Sequence, residues 1–422
     1  MRGGPALQFR SGEVSTSAPP LTLPSPREER GEGSKTSREG AFNESLTIAP
    51  NTARMPGDFQ FKASPRMQTL DLAHLDALLD GHIDLRRRAG SVQPLRFPVA
   101  EIGFYDPFTR WVASASAGVR LRLRTDSRRL RLAATQRLAA AGPEGEQRPA
   151  AYELYIDDQL FARRAAVGGA VMALDGSLSG DERAEVVFED LPAGEKSISL
   201  WLPQSATVSI TALELDDGAA WSPWPDPRRR IVFHGSSISH CMEAEGGAGS
   251  WPAVACALAD ARLLNLGWAG SCLLSGLAAR IIRDQGADAI VLKLGINVYN
   301  DGMLKERTFL DSVHSMLSII REKHALTPIV VISPIFSAAR EDAGDNGGPS
   351  LRRMRELLAE VVAARVRSGD ASIRYLSGLD LFGEADAPDL PDDLHPNAAG
   401  YQRMGERFHR LALNGEGGLL PA

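Results

Sequence analysis

The sequence predicts two architectures in succession: an antiparallel β-sandwich, and then an α/β domain whose mostly parallel sheet carries helices on both faces. The sandwich is predicted from apolar and polar residues that alternate with period two between about residues 92 and 217, with no helix-length segment between most of the strands. The α/β domain is predicted from strand–helix–strand alternation after residue 230. A proline-rich segment at 221–230 separates the two patterns.

The composition is typical of a globular protein. The chain has 422 residues, 43% of them hydrophobic and 24% charged, which is enough for two or three domains. A formal net charge of −6 disfavours a nucleic-acid partner, and no apolar run approaches the ~20 residues that cross a bilayer. Three cysteines favour reduced thiols over a disulfide framework. Because the first residues also lack the apolar region of a signal peptide, we expect a cytoplasmic protein without a membrane partner.

Residues 1–66 differ in composition from the rest of the chain. They are rich in Ser, Pro, Gly, Arg and Glu and show no sustained periodicity, so they carry too little apolar surface to offset the entropy lost on ordering. We expect a disordered or mis-called extension, with the true start at Met67. Between residues 67 and 90, the leucine spacing of LDLAHLDALLDGHIDL predicts a short amphipathic helix that Gly81 interrupts or ends.

The sandwich is expected over residues 91–220, with a jelly-roll-like arrangement. Its predicted strands are VRLRLRT, RLRLAA, AYELYIDD, AEVVFEDL, KSISLWLP and VSITALELDD. The first of these alternates apolar residues with Arg120, Arg122 and Arg124. Such a stripe is more often the solvated side of a strand than a binding face, and we predict the solvated side.

The α/β domain is expected over residues 231–414, followed by a tail at 415–422. The segment WSPWPDPRRR before it contains three prolines and is therefore semi-rigid, so the domains should be docked together. The predicted elements alternate as follows: strand 231–235, helix 251–258, strand 262–266, helix 273–285, strand 288–294, helix 304–323, strand TPIVVISP, helix 351–366, strand IRYLSG and helix 397–413.

Short motifs lie where several of these strands end. IVFHGSSISH, at 231–240, is an apolar run that stops at a glycine and is followed by two serines. NLGWAGS at 265–271 and KLGINVYN at 293–300 are also strands that end in glycine, and PDDLHP at 391–396 contains an aspartate and a histidine. The carboxyl edge of an open α/β sheet is where such folds keep their ligands, so we expect these motifs to converge there.

These motifs, in this order, resemble those of the SGNH (GDSL-type) hydrolase family, over roughly residues 229–412. An N-terminal sandwich before the hydrolase domain is similar to the arrangement in some carbohydrate esterases. The resemblance implies a flavodoxin-like fold and a serine esterase that acts through an acyl-enzyme on a small acyl ester, with an acetyl ester of a sugar or similar polyol as the expected substrate. No cofactor or metal is expected, because the cysteines and histidines lack zinc-site spacing and no Walker loop is present.

The resemblance also implies a role for each residue at a motif position. Ser237 matches the nucleophile and His395 the general base. Asp392 would orient the histidine ring. The backbone N–H of Ser237, Gly270 and the side-chain amide of Asn297 would donate hydrogen bonds to the oxyanion.

Departures from the family pattern leave two alternatives open. Ser236 stands where the family usually has aspartate, and it competes with Ser237 as the nucleophile. Gly267 is the alternative to Gly270, although its place directly after a strand suits a turn better. Val298 follows the motif asparagine, Asn297, at a position where the family usually has an aspartate.

Further titratable residues lie close to these motif positions. Asp392 is three residues before His395, and positions i and i+3 face the same side of a turn, so its carboxylate can accept the ring's Nδ1–H. Asp393 is expected to point away into solvent. His234 is expected to be packed in the fold, whereas His240 is a candidate for substrate contact.

Trp268 and Tyr299 join His240 as candidate substrate-binding residues, because aromatic rings stack on sugars. Trp251 is expected in the core. The expected partner is a small-molecule or carbohydrate ester, and the sequence leaves the oligomeric state open. The alternative functions are an acyltransferase or thioesterase that uses the same residues, and a carbohydrate-binding protein whose hydrolase domain is inactive.

Overall fold

The structure, a computed structural model, describes residues 66–140, 150–173, 176–414 and 418–420. The extension expected at 1–66 lies outside these residues except for Arg66, and so does most of the expected tail. The described residues belong to one compact unit. None of the helices in these ranges is long and apolar enough to span a membrane.

The N-terminal region, residues 67–223, consists of two sheets. In chain order its strands are β1 (Met67–Leu70), β2 (Leu79–Asp80), β3 (Asp84–Arg88), β4 (Ser91–Leu95), β5 (Arg120–Thr125), β6 (Leu130–Ala139), β7 (Ala151–Ile156), β8 (Gln159–Ala165), β9 (Val167–Gly168), β10 (Ala170–Met172), β11 (Leu178–Ser179), β12 (Arg183–Phe188), β13 (Lys196–Trp201), β14 (Ala206–Asp216) and β15 (Trp221–Pro223). One sheet has the order β11-β10-β6-β14-β4-β3, with β1 on β14 and β12 between β6 and β9. The other has the order β15-β5-β13-β7-β8, with β2 on β5. All these pairings are antiparallel except that of β6 with β10. A single apolar cluster contains residues of both sheets, as a sandwich requires.

A short helix ends before Gly81, as predicted, but it occupies less of residues 67–90 than expected. A 3₁₀ turn (Leu72–His74) and α1 (Leu75–Leu78) form one short helical stretch. The chain before it is β1, which pairs with β14, and the chain after it includes β3, which pairs with β4. Pairing with distant strands overrides the local leucine spacing, because it satisfies backbone groups that a helix this short leaves unpaired.

The arginine stripe of β5 does not face solvent as predicted, since only Arg124 is exposed. Arg120 is 7% exposed and Arg122 is 4% exposed. Arg120 donates a hydrogen bond of 2.6 Å to Asp226, and the guanidinium of Arg122 lies 3.8 Å from the ring centroid of Trp224. The prediction failed because the proline-rich segment covers this face of the sheet and supplies both partners, which local alternation cannot reveal.

The C-terminal region, residues 230–413, has the predicted α/β architecture. Its elements are β16 (Arg230–Gly235), α3 (Ser237–His240), α4 (Trp251–Leu258), β17 (Arg262–Gly267), α5 (Gly276–Arg283), β18 (Ala289–Lys293), α6 (Ile296–Tyr299), α7 (Glu306–Arg321), β19 (Ile329–Ile332), α8 (Leu351–Arg367), β20 (Ile373–Leu376), α9 (Gly378–Leu381) and α10 (Ala398–Phe408), followed by a π turn (His409–Leu413). The N-terminal region also contains one short helix of eight residues, α2 (Pro107–Ser114). The five strands are parallel in the order β17-β16-β18-β19-β20. Nearly every residue of β16, β18 and β19 is buried, so both faces of the sheet are covered.

The strand order determines where the site lies. Numbered by their succession in this region, the strands run 2-1-3-4-5, the flavodoxin-like order, whose ligand crevice is at the switch point between the first and third strands. Here those strands are β16 and β18. Beside them, Phe233 packs with its ring centroid 5.2 Å from that of Trp251 and 5.7 Å from that of Phe408, which places Trp251 in the core as expected.

Candidate active site

The first element of the site is the turn from β16 into α3. A Cβ atom on Gly235 would lie 2.5 Å from Ser239 Oγ, so glycine allows the helix to begin directly at the end of the strand. Ser236 is fully buried, and its Oγ accepts a hydrogen bond of 3.3 Å from the backbone N–H of Ile238, which caps α3. Ser237 is the first residue of the helix and is half-buried. Of the two candidate serines, Ser236 therefore has a structural task.

A chain of two hydrogen bonds connects Ser237 to a carboxylate. His395 Nε2 lies 2.7 Å from Ser237 Oγ, and His395 Nδ1 lies 2.6 Å from Asp392 Oδ2. Asp392 Oδ1 also accepts the backbone N–H of His395 at 2.7 Å and that of Leu394 at 3.0 Å. Partial burial raises the pKa of Asp392, but the hydrogen bonds from His395 and Leu394 outweigh it, and the pKa is lowered. The structure thus brings together residues that the sequence places 158 positions apart.

Asp393 points away from this chain, as predicted, but it is not simply solvated. Its carboxylate oxygens accept the backbone N–H groups of Ala338 at 2.9 Å and Ala339 at 3.1 Å, and lie 3.3 Å from Arg340. Its backbone has a φ of 57°. The expectation of a solvated side chain failed because the segment after β19 folds over it, a contact between distant parts of the chain.

The structure distinguishes the two candidate glycines by their surroundings. Gly267 is the last residue of β17, and a Cβ atom there would lie 2.4 Å from the backbone nitrogen of His240. That glycine therefore permits close packing of α3 on β17. Gly270 is exposed and has a φ of 67°, a conformation that favours glycine. Its neighbours are fixed, since the backbone N–H of Trp268 donates to Gly235 O at 2.8 Å.

Asn297 lies in α6, directly after β18. Its Oδ1 accepts the backbone N–H of Cys272 at 3.0 Å, which fixes the orientation of the amide. Its Nδ2 has no hydrogen-bond acceptor among the residues that the structure describes. The asparagine thus joins the end of β18 to the glycine-containing loop, with one donor still available.

The three residues predicted to bind substrate are buried and not presented to solvent, which disfavours a direct contact with substrate. His240 is fully buried, with Nε2 2.8 Å from Gln204 O. Trp268 is also buried, and Tyr299 is buried with its hydroxyl donating to Ala343 O at 3.0 Å. Each of them packs against a distant part of the chain, at Gln204, Tyr105 and Ala343 respectively, and closeness to a motif in sequence does not reveal such packing.

His234 is packed in the interior, as predicted. Its Nδ1 lies 2.8 Å from Leu266 O and its Nε2 3.5 Å from Cys272 Sγ. Burial lowers the pKa of His234 to about 4, with the hydrogen bond to Leu266 O raising it and the charge of Arg96 lowering it further. The ring is therefore neutral at pH 7. It is not the general base for Ser237, because its two nitrogens face Leu266 O and Cys272 Sγ instead of the serine hydroxyl.

Neither a thiolate nor a metal site accompanies these residues. Cys272 is buried and free, and burial raises its pKa to about 12, so it is not a nucleophilic thiolate at pH 7. In the part of the chain that is described, no group of three or more His, Cys, Asp or Glu side chains could hold a metal ion.

Sequence analysis missed one contribution, which comes from α2 (Pro107–Ser114) in the N-terminal region. Thr109 Oγ1 donates a hydrogen bond of 3.0 Å to Ser271 Oγ, 162 positions away. A Cβ atom on Gly270 would lie 2.8 Å from Cε1 of Phe108. No local pattern marks either residue, because their importance comes entirely from this long-range contact.

Comparisons with known proteins agree with this geometry. Residues 233–403 match the model of the GDSL-like lipase/acylhydrolase family, and this confirms the resemblance drawn from the motifs. A multidomain esterase from Ruminococcus flavefaciens is 28% identical over 126 residues, which are 30% of this chain and 15% of that esterase. This chain therefore spans only a small part of that relative.

Two solved structures are similar over most of the chain. A salicylyl-acyltransferase from a tetracycline biosynthetic pathway is 29% identical, with a TM-score of 0.72 over 82% of this chain and 96% of its own. An active-site mutant of a family two carbohydrate esterase from Clostridium thermocellum is 15% identical, with a TM-score of 0.55 over 82% of this chain and 97% of its own. The second likeness concerns the fold alone.

Proposed function

We propose that this chain is a serine esterase that hydrolyses a small acyl ester through an acyl-enzyme, which is supported by the match of residues 233–403 to the GDSL-like lipase/acylhydrolase family. The substrate we propose is an acetyl ester of a sugar or similar polyol. The observation that carries the proposal is the hydrogen-bonded chain from Ser237 through His395 to Asp392, with distances of 2.7 and 2.6 Å.

Each group of the site has a task in this reaction. His395 Nε2 takes the proton of Ser237 as Oγ attacks the ester carbonyl, and Asp392 holds the ring and stabilises the imidazolium. His395 then gives the proton to the leaving alcohol, and a water molecule repeats the sequence on the acyl-enzyme. The developing oxyanion receives hydrogen bonds from the backbone N–H groups of Ser237 and Gly270 and from Asn297 Nδ2.

The exposure of the site supports a short acyl group on a polar alcohol. The side chains of His395 and Asp392 are 17% and 53% exposed, so the bound ester stays in contact with water. A long acyl chain gains its affinity from burial in an apolar channel, whereas a sugar keeps its hydroxyl groups hydrated at an open site. The match to a multidomain esterase supports ester hydrolysis.

The second candidate is acyl transfer from the same acyl-enzyme to an alcohol instead of water. It is favoured by the salicylyl-acyltransferase, which is 29% identical and is covered over 96% of its length. Both functions share the first half of the reaction. They differ only in which hydroxyl group attacks the acyl-enzyme.

One set of assays tests both candidates. Purified protein is given p-nitrophenyl acetate, p-nitrophenyl butyrate, an acetyl thioester and a panel of acetylated sugars, with and without an added alcohol acceptor. Release of acetate without an acceptor supports the esterase, with acetyl preferred to butyryl. The transferase is supported if little acetate is released without an acceptor and a new ester of the acceptor forms when it is added. A protein that consumes no ester under either condition contradicts both.

The nucleophile is tested separately with matched serine variants. Ser237→Ala is expected to lower kcat by ~10⁴–10⁶, as loss of a triad nucleophile does. Ser236→Ala removes the cap of α3, and we expect it to cost about 1 kcal/mol of stability while activity is retained. An inactive, folded Ser236→Ala beside an active Ser237→Ala would reverse the assignment.

A further inference from the structure

Helix α2 lies against the loop 268–275, which follows β17 and contains the candidate oxyanion donor Gly270. The beginning of the helix is sharply defined. Pro107 is its first residue, a position that suits proline. Asp106 caps the helix by accepting the backbone N–H groups of Phe108 at 2.9 Å and Thr109 at 3.0 Å. The capped backbone of α2 thus fixes the direction in which the side chain of Phe108 projects from the helix.

Two contacts hold α2 against the loop that follows β17. The hydroxyl of Thr109 donates to Ser271 at 3.0 Å. Arg96 is fully buried and donates from Nε to Ala115 O, directly after α2, at 2.7 Å. The same guanidinium donates from Nη1 to Gly267 O at 2.6 Å. A planar guanidinium that bonds to both segments fixes the distance between them.

Phe108 itself has no comparable structural task. Its side chain is 42% exposed, although it is a large apolar ring. The ring is in contact with Gly270 and stands 5.8 Å from the ring centroid of Trp111. The N-terminal region therefore presents an aromatic surface to solvent beside a candidate oxyanion donor.

We propose that Phe108 is a specificity-determining residue, which packs against a flat group of the ester bound at Ser237. This inference rests on the proposed function. A carbonyl oxygen that accepts the N–H of Gly270 brings the substituents of its carbonyl carbon towards the side chain that touches Gly270. A flat group, an aromatic ring or the apolar face of a sugar, gains stacking and burial on Phe108. A methyl group is too small to gain much.

The experiment compares esters that carry the flat group on different sides of the carbonyl. Wild-type protein and Phe108→Ala are assayed with methyl acetate, phenyl acetate and methyl benzoate. Relative to its effect on methyl acetate, Phe108→Ala is expected to lower kcat/KM about tenfold for phenyl acetate, for methyl benzoate or for both. The change should arise chiefly from a higher KM. Phenyl acetate tests the alcohol side and methyl benzoate tests the acyl side. Phe161→Ala is the matched control, since Phe161 is 39% exposed on β8. It should leave the ratios of kcat/KM between the three esters unchanged.

The outcomes separate this inference from the proposed function. If Phe108→Ala changes all three esters equally, or none, the inference is overturned while the esterase assignment stands. If wild-type protein hydrolyses none of the esters, the proposed function fails and the inference fails with it. Phe108→Leu, which keeps an apolar side chain without a flat face, is the second variant. Phe108→Leu should show the same selective fall in kcat/KM for the esters with a flat group. A selective fall in Phe108→Ala alone would indicate that the loop has collapsed, and it would overturn the inference.

Discussion

The C-terminal α/β region and the N-terminal sheets contribute to the site in different ways. In the α/β region, Ser237 and Asn297 follow the ends of neighbouring parallel strands, so the chemical groups meet through the regular geometry of one sheet. The N-terminal region supplies none of the motifs. It reaches the same place through isolated long-range contacts of Arg96, Gln204 and Phe108. The candidate catalytic groups therefore belong to one region, whereas their positioning depends on both.

The two regions also differ in how their buried charges are used. Glu153, in β7, is fully buried; it pairs with Arg163 at 2.8 Å and accepts the backbone N–H of Ala248 at 2.8 Å. Arg96 is buried among backbone carbonyls, and burial lowers its pKa to about 9. Charges of the N-terminal region thus satisfy backbone groups of the α/β region. Breaking such a contact leaves a buried polar group without a partner, which is costly.

The largest effect is expected within the α/β region, at the two adjacent aspartates. Asp392→Asn should lower kcat by up to ~10⁴ in a folded protein, because the ring of His395 loses the acceptor that fixes its tautomer. Asp393→Asn is the matched control. It should leave kcat within about tenfold of wild type while lowering stability by about 1–2 kcal/mol, because the amide keeps only one acceptor oxygen for the N–H groups of Ala338 and Ala339 and loses the charge that faces Arg340. Steady-state kinetics and thermal unfolding of both variants measure the two effects. A larger kcat loss in Asp393→Asn would contradict the assignment.

The next effect tests whether the loop and β18 act together. Asn297→Ala should lower kcat by about 10²–10³ with little change in KM, as the loss of one oxyanion donor does. Asn297→Asp sharpens the test, because it keeps the acceptor for the backbone N–H of Cys272 but has no Nδ2 donor. Kinetics on a single acetyl ester should show a fall in kcat for both variants. Full activity in Asn297→Asp would mean that the residue only supports the loop.

The third effect concerns stability and pH, at a histidine buried beneath the site. The pKa of His234 is about 4 in the folded state and about 6.5 when unfolded. Between these values the unfolded chain binds a proton that the folded chain does not, so stability falls as the pH falls from 6.5 to 4, by up to about 3 kcal/mol. His234→Asn keeps a donor for Leu266 O without titrating. Urea unfolding at several pH values measures how the free energy of unfolding depends on pH. Between pH 6.5 and 4 this free energy should fall less steeply for His234→Asn than for wild type, and an equal fall would refute the attribution to His234.

The smallest effect tests whether the N-terminal region positions the loop. Arg96→Lys keeps the positive charge but replaces the planar fork by one ammonium, which cannot bond to both Ala115 O and Gly267 O in the same way. We expect a loss of about 1–2 kcal/mol of stability and a lower kcat with KM unchanged. Arg88→Lys, at an exposed end of β3, is the control and should change neither. An unaltered kcat in a destabilised Arg96→Lys would restrict Arg96 to a role in folding.

The α/β architecture and the residues that meet in the site could be predicted from local sequence patterns. Apolar runs and amphipathic spacing are local properties, and they placed β16, β17 and α4 within a residue or two of their observed bounds. The spacing of Asp392 and His395 is also local, so their hydrogen bond could be anticipated from one turn of chain.

Which of the remaining side chains are buried, and what they contact, depends on how distant parts of the chain pack together. Arg120 and Trp268 are covered by other parts of the chain, Asp393 is held by the segment after β19, and Phe108 touches a loop more than a hundred positions away. Periodicity reports which side of its own element a residue faces. It does not report what packs against that side, because burial is set by chain segments that are distant in sequence. The chemistry was therefore readable along the chain, whereas the surroundings of the site required the folded protein.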